Sequence, residues 1–153
     1  MKLKKTALSF IGVLAVGTVI AYAAVVNWHT ANSAPIAWDA VTTLSDGTLL
    51  PAGSTIEYEI SICDAIADPD NPGEWVPDLN TAVVKWTGTD LNCLVTADRE
   101  GRYFFGGQSF RIVDGERVSE SEQVWANDPT VCADGQSIGF QYFLPPANPG
   151  GFK

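Results

Sequence analysis

The sequence predicts an all-β fold, a sandwich of about seven antiparallel strands. After residue 24, short stretches rich in Val, Ile, Thr, Tyr, Phe and Trp recur between clusters of Gly, Pro, Asp and Asn, which is the pattern of strands joined by turns. The same part of the chain contains no segment with the apolar period of an amphipathic helix. A chain of 153 residues has room for one core of ordinary size, so we expect a single sandwich.

Alternating residues predict the individual strands. Segment 56–62 gives the clearest pattern, because Glu57 and Glu59 would face water while Tyr58 and Ile60 would face the core. The other predicted strands, in chain order, are 25–29, 34–41, 82–86, 92–97, 102–112 and 117–125. This number of short strands is typical of a sandwich.

Two long loops, 42–54 and 64–80, are predicted because their Pro and Gly content is incompatible with continuous strand pairing. Of the five tryptophans, Trp38 lies in an alternating strand and is predicted to be in the core. Trp75 lies in the second loop, where an exposed indole would bind a ligand such as a sugar ring. The alternative is that Trp75 belongs to a lid that packs on the edge of the sandwich.

Three aromatic residues occur in an order that resembles the fibronectin type III family. Trp38 in the second strand and Tyr58 in the third are followed by Tyr103, which opens the sixth strand after the polar turn 98–101, and by the glycine-containing hairpin 113–119. In that family a tryptophan of the second strand packs in the core and a tyrosine opens the sixth strand. The resemblance implies an immunoglobulin-like sandwich with Trp38, Tyr58 and Tyr103 as its core signature.

The resemblance covers about 34–125, within a predicted sandwich domain at 24–126. Segment 127–153 has no counterpart and is predicted to be a C-terminal extension. Three aromatic residues in it alternate as in a further strand: Phe140, Tyr142 and Phe143. Such a strand would cover an open sheet edge, or it would be donated to a neighbouring copy in a filament.

The N-terminal segment 1–23 is predicted to be a secretory signal peptide. Three lysines in the first five residues precede the apolar run 7–24, and small residues Ala21 and Ala23 fit a signal peptidase. The alternative is an uncleaved membrane anchor, because extending the run to Val26 approaches the roughly 20 residues that span a bilayer. Export predicts a secreted, periplasmic or cell-surface location.

The cysteines Cys63, Cys93 and Cys132 would then reach an oxidising compartment. Antiparallel topology places every second loop at the same end of a sandwich. Cys63 would end the third strand and Cys132 follows the seventh, so we expect these two to form a disulfide and Cys93 to be a buried thiol. The alternative is a different pair with Cys63 free.

The charge balance limits the partners. The chain has 18 Asp and Glu against 9 Lys and Arg, and such a surface repels phosphate backbones and anionic lipid headgroups. We therefore expect a protein or polysaccharide partner, no nucleic acid, and no membrane contact after signal cleavage.

Candidate catalytic and metal-binding residues are weak, and we predict no catalytic residue, no metal and no cofactor. Glu57 and Glu59 would lie on a solvated face, where neither pKa is raised for acid catalysis. The only histidine, His29, lies in a weak strand and no serine occurs in a nucleophile elbow. A loose likeness to a calcium loop lacks its closing glutamate and is better explained as a turn; its residues are Asp68, Asp70, Asn71, Gly73 and Asp78.

The sequence thus favours an exported, non-catalytic module for interaction, adhesion or spacing. One alternative is a carbohydrate-binding module that uses exposed aromatic residues such as Trp75. The other is a structural subunit of a surface filament or assembly.

Overall fold

The computed structural model describes residues 26–146, so the predicted signal peptide 1–23 and residues 147–153 lie outside the described chain. The described chain is all-β, with nine strands and one turn of 3-10 helix, Pro129–Val131. The strands are β1 (Asn27–Thr30), β2 (Ser33–Ala37), β3 (Thr55–Ala67), β4 (Trp75–Gly88), β5 (Asn92–Thr96), β6 (Gly101–Val113), β7 (Glu116–Glu120), β8 (Val124–Trp125) and β9 (Ile138–Tyr142).

Two sheets of very different size form the fold. The large sheet has the order β1-β9-β6-β3-β4, and β7 and β8 also pair with β6. Along one edge of β6, β9 pairs with 101–104, β8 with 106–107 and β7 with 110–113. Strands β1 and β9 run parallel, and the other pairs are antiparallel. The small sheet is the antiparallel pair β2–β5.

The main core lies between the two sheets. Its buried residues come from β2, β3, β6, β9 and the β5 region: Ala34, Ile60, Ile62, Val95, Ala97, Tyr103, Phe105 and Phe140. The Phe140 ring is stacked on both Tyr103 and Phe105, with ring centroids 5.0 Å apart in each pair. Phe140 belongs to β9, so the predicted boundary after Ala126 separates the core from one of its central residues.

A second cluster lies on the opposite face of the large sheet. Cys63, Ala65 and Phe104 are buried there, because alternate residues of a strand point to opposite faces. Trp28, Trp75 and Trp125 pack over them. The large sheet is therefore apolar on both faces at its centre.

The predicted loop 64–80 is wrong, because most of it is strand. β3 continues to Ala67 and β4 already begins at Trp75. Pro77 is tolerated because β4 is the last strand in the sheet order, at the edge of the sheet. A missing backbone N–H disrupts strand pairing least at an edge. At an irregularity in the ladder, the Thr81 hydroxyl accepts from the Asp64 N–H at 2.8 Å and donates to the Asp78 carbonyl at 2.8 Å, which keeps the backbone groups paired.

Two other predicted strands are shorter than expected. Strand 34–41 ends at Ala37, and strand 117–125 divides into β7 and β8. The division occurs at Ser121, whose hydroxyl accepts from the Ser109 N–H at 3.0 Å. The predicted strands at 92–97 and 102–112 match β5 and β6 to within one residue at each end, and 56–62 forms the first part of β3.

Candidate functional site

The difference in strand length leaves part of the core face uncovered by the small sheet. β3 and β6 have 13 residues each, whereas β2 and β5 have five. Beyond the small sheet, the chain that follows β2 takes its place. This loop is held by Tyr58, whose hydroxyl accepts a hydrogen bond from the Val41 N–H at 3.0 Å.

A groove of about 440 Å³ remains between this loop and the sheet. We call it the inner groove. Its floor is formed by Tyr58, Ile60 and Gly107, and its walls by Trp38 and Val124. A second depression of about 450 Å³ adjoins it; this one lies under the loop and is lined by residues that include Ile56, Leu44, Leu50 and Arg111. The two depressions share Val41, Ser109 and Ser121.

Gly107 has no side chain and so leaves space above the floor of the inner groove. A Cβ atom at this position would have Ile60 Cδ1 as its nearest neighbour, at an ordinary contact distance of 3.8 Å. At Gly106, on the other face, a Cβ would lie 2.8 Å from the Trp125 ring. The adjacent glycines therefore have different roles: Gly106 makes room for an indole of the chain itself, and Gly107 leaves open space.

Trp38 forms part of the wall of the groove. Its indole packs against Tyr58 and Trp86, with ring centroids 5.6 and 5.4 Å away, and it is half-buried rather than enclosed in the core. Within residues 26–146, its Nε1 is buried and has no hydrogen-bond acceptor. A buried donor without a partner destabilises the folded chain by about 1–3 kcal/mol.

Carboxylates surround the two depressions. Asp39 and Glu122 line the first and Asp46 lines the second. Hydrogen bonds from the Thr48 side chain and backbone lower the pKa of Asp46, so this carboxyl is ionised at neutral pH.

Trp75 lies at the start of β4 and not in a loop, so its predicted loop position is wrong. The indole is half-buried in the outer cluster and packs edge-on against Trp28 at 5.7 Å. The Arg102 guanidinium carbon lies 4.4 Å from the centre of the Trp75 ring and 5.6 Å from that of Trp28. This stacked cation occupies ring surface that a sugar would need.

The expected Cys63–Cys132 disulfide is absent, because all three cysteines are unpaired thiols. Cys63 does not end its strand, since β3 continues for four more residues. Its side chain is 1% exposed and packs with Phe104 in the outer cluster. Cys132 instead follows the 3-10 turn, where its Sγ donates to the Ala126 carbonyl at 3.5 Å, and Ala126 packs against the core between the sheets.

The Cys63 thiol is expected to resist alkylation in the folded chain. Burial raises its pKa to about 12, so the reactive thiolate is scarce at pH 8. Reaction of the reduced chain with iodoacetamide, followed by peptide mapping, is expected to label the half-buried Cys93 and Cys132 first. Cys63 should be labelled only after addition of denaturant, and equal labelling of Cys63 and Cys132 would contradict its burial.

The two neighbouring carboxylates, Glu57 and Glu59, both form ion pairs with Arg117. The Arg117 side chain donates to both, at 2.8 Å to Glu57 and 2.7 Å to Glu59. The Arg117 guanidinium also lies over the Phe110 ring at 3.8 Å. His29 is exposed on β1.

The calcium-like residues form a hairpin turn. Asp68 accepts hydrogen bonds from the Asp70 N–H at 2.8 Å and from the Asn71 amide at 3.0 Å, whereas Asp78 lies on β4 and accepts from Asn80. Among the described residues, no group of three His, Cys, Asp or Glu side chains is placed to hold a metal ion. The same part of the chain has no helix long and apolar enough to span a membrane.

Comparison with known proteins finds no matching family model, no matching curated protein and no matching solved structure.

Sequence reasoning missed the inner groove. It selected Trp38 and Tyr58, but as core residues. The Gly106-Gly107 pair within a predicted strand was the available signal, because glycine inside a strand often marks a place where another group approaches the backbone.

Proposed function

We propose that this chain is an exported, non-catalytic interaction module with a fibronectin-type-III-like fold, and that its ligand binds in the inner groove. The groove carries the proposal. Its volume of about 440 Å³ lies in the range of ligand pockets. Its lining combines apolar surface from Trp38, Ile60 and Val124 with the exposed carboxylates of Asp39 and Glu122.

The strand order supports the assigned fold. In immunoglobulin-like sandwiches the second and fifth strands of the common seven-strand core share one sheet, and the third, sixth and seventh share the other. Here β2 pairs with β5, while β3 and β7 flank β6.

The environment of Tyr103 also supports it. Tyr103 is 3% exposed, and its hydroxyl donates to the Arg99 carbonyl, four residues upstream, at 2.6 Å. Immunoglobulin-like domains have a tyrosine near the start of the sixth strand whose hydroxyl bonds back to the chain in this way. Burial raises the pKa of Tyr103, which keeps the hydroxyl protonated as a donor.

Tyr103→Phe is expected to lower the free energy of unfolding by about 1–2 kcal/mol, since it removes this buried hydrogen bond and little else. Urea denaturation followed by circular dichroism measures the change. Tyr142→Phe is the control, because the Tyr142 hydroxyl makes no hydrogen bond within residues 26–146 and its loss should change stability by less than about 0.5 kcal/mol. An equal effect of both substitutions would count against the Tyr103 hydrogen bond.

Selection of a phage-displayed random peptide library on the immobilised full chain tests binding in the groove. Clones that bind are expected to lose at least tenfold in affinity on Gly107→Phe, whose ring would fill the floor, as roughly 1.4 kcal/mol corresponds to a tenfold change. Val83→Phe adds the same ring to an exposed position on β4 and is expected to leave binding unchanged. Clones that bind both variants equally, or failure to enrich any clone, would refute a peptide-binding role for the groove.

The two alternative functions have less structural support. The carbohydrate hypothesis relies on Trp75, and Arg102 covers part of that indole. The filament hypothesis relies on donation of the C-terminal strand, and β9 is already paired on both sides within its own chain, with β1 and β6. Saturable quenching of tryptophan fluorescence by a polysaccharide, lost in Trp75→Ala, would support the carbohydrate hypothesis. Formation of polymers that depends on protein concentration would support the filament hypothesis.

A further inference from the structure

We infer that the ligand of the inner groove is an extended, cationic peptide segment in which Lys or Arg alternates with apolar residues. This inference rests on the proposed function and specifies the chemistry of the ligand. It comes from three features of the groove: its charge, its length and its aromatic lining.

The rim of the groove has a net negative charge. Within residues 26–146, no ion pair involves any of its three carboxylates, Asp39, Asp46 and Glu122. The one basic residue in the lining, Arg111, donates through Nε to the Ser54 hydroxyl at 2.9 Å and offsets only one of these charges.

The other basic side chains of the described chain are engaged elsewhere. Lys85 pairs with Asp98, Arg99 with Asp64, and Arg117 with the two glutamates of β3, Glu57 and Glu59. Arg102 is stacked on tryptophans of the outer cluster. The carboxylates at the groove are therefore available to a cationic partner, and the net negative charge of the chain would steer such a partner toward it.

The length of the groove favours an extended segment over a compact molecule. The two depressions adjoin at Val41, Ser109 and Ser121, and together their lining includes β6 residues from Gly107 to Arg111. At a rise of about 3.3 Å per residue, these positions span roughly 13 Å, the length of about four residues of extended peptide.

The aromatic lining also suits a basic side chain. Trp38 is only partly buried where it lines the groove, and an indole ring attracts a Lys or Arg side chain through the cation–π interaction.

Three fluorescein-labelled octapeptides test the inference by fluorescence anisotropy with the purified full chain. They share leucine at alternate positions and carry lysine, serine or glutamate between them. The lysine peptide is expected to bind roughly tenfold more tightly than the serine peptide, and the glutamate peptide least. Raising the ionic strength from about 0.02 to 0.5 M should weaken the lysine peptide selectively, since salt screens exposed charges.

Two double variants with the same change in charge locate the effect. Asp39→Asn with Glu122→Gln is expected to weaken the lysine peptide several-fold, while Asp90→Asn with Asp134→Asn, outside the groove lining, should change its affinity by less than about twofold. Gly107→Phe should abolish binding of the lysine and serine peptides alike.

The outcomes separate this inference from the proposed function. If the serine and lysine peptides bind equally and Gly107→Phe removes both, the cationic ligand is refuted and the groove remains a binding site. If none of the three peptides binds, or if the two double variants behave identically, the inference is also refuted. The phage selection then decides independently whether the groove binds peptides at all.

Discussion

Replacing Phe140 with Ala is expected to lower the free energy of unfolding by about 3–5 kcal/mol. The Phe140 side chain is 0% exposed and its ring is stacked on Tyr103 and Phe105, so its removal leaves a cavity where the two sheets meet. Since domains of this size are stable by only about 5–15 kcal/mol, a substantial part of the stability should be lost. Urea denaturation of the full chain, followed by circular dichroism, measures the loss.

Phe143→Ala is the matched control, because Phe143 lies just after the same strand but is 54% exposed. Its replacement is expected to change the free energy of unfolding by less than about 0.5 kcal/mol. Similar effects of the two substitutions would mean that β9 does not complete the core, and the predicted domain boundary after Ala126 would then be correct.

The structure depends on this distant strand in a way that local sequence patterns do not reveal. Local patterns predicted the strands at 56–62, 92–97 and 102–112, because strand-favouring composition and, at 56–62, the alternation of polar and apolar residues are local properties. The insertion of β9 between β1 and β6 joins residues more than a hundred positions apart, such as Thr30 and Gln141. Nothing in the sequence of either strand specifies such a partner.

The error at segment 64–80 has a different origin. Pro and Gly usually end or avoid strands, and their frequency in this segment, which includes Pro77, led to the prediction of a loop. The hydroxyl of Thr81 and the position of β4 at the end of the sheet order make the strand possible. Tertiary context therefore overrode local propensity, and it also placed Trp75 in a strand.

The candidate site was only partly predictable for a related reason. Trp38 and Tyr58 were recognised as important from their order in the chain, and both contribute to the groove. The groove itself arises because the small sheet is shorter than the large one, and because Tyr58 holds the loop at Val41 away from Gly107. Relative sheet length and loop position are properties of the assembled fold.

The second large effect is expected at Gly139, where Gly139→Val should lower the free energy of unfolding by about 3 kcal/mol, at the upper end for overpacking. A Cβ there would lie 2.5 Å from the Trp28 ring and 2.9 Å from the Tyr103 carbonyl oxygen. The ring can turn aside only by leaving the outer cluster, and the carbonyl belongs to the β6 backbone, which pairs with β9 at this point. The strain should therefore spread into the sheet.

Gly107→Val is the control in the same sheet, because its Cβ would meet only Ile60 Cδ1 at 3.8 Å. A β-branched residue in place of a strand glycine is expected to leave stability unchanged or to raise it by up to about 1 kcal/mol. Thermal unfolding of both variants would show a large fall in Tm for Gly139→Val and none for Gly107→Val. Two equal decreases would mean that the space above Gly107 is already filled. Both the groove and the proposed ligand within it would then be refuted.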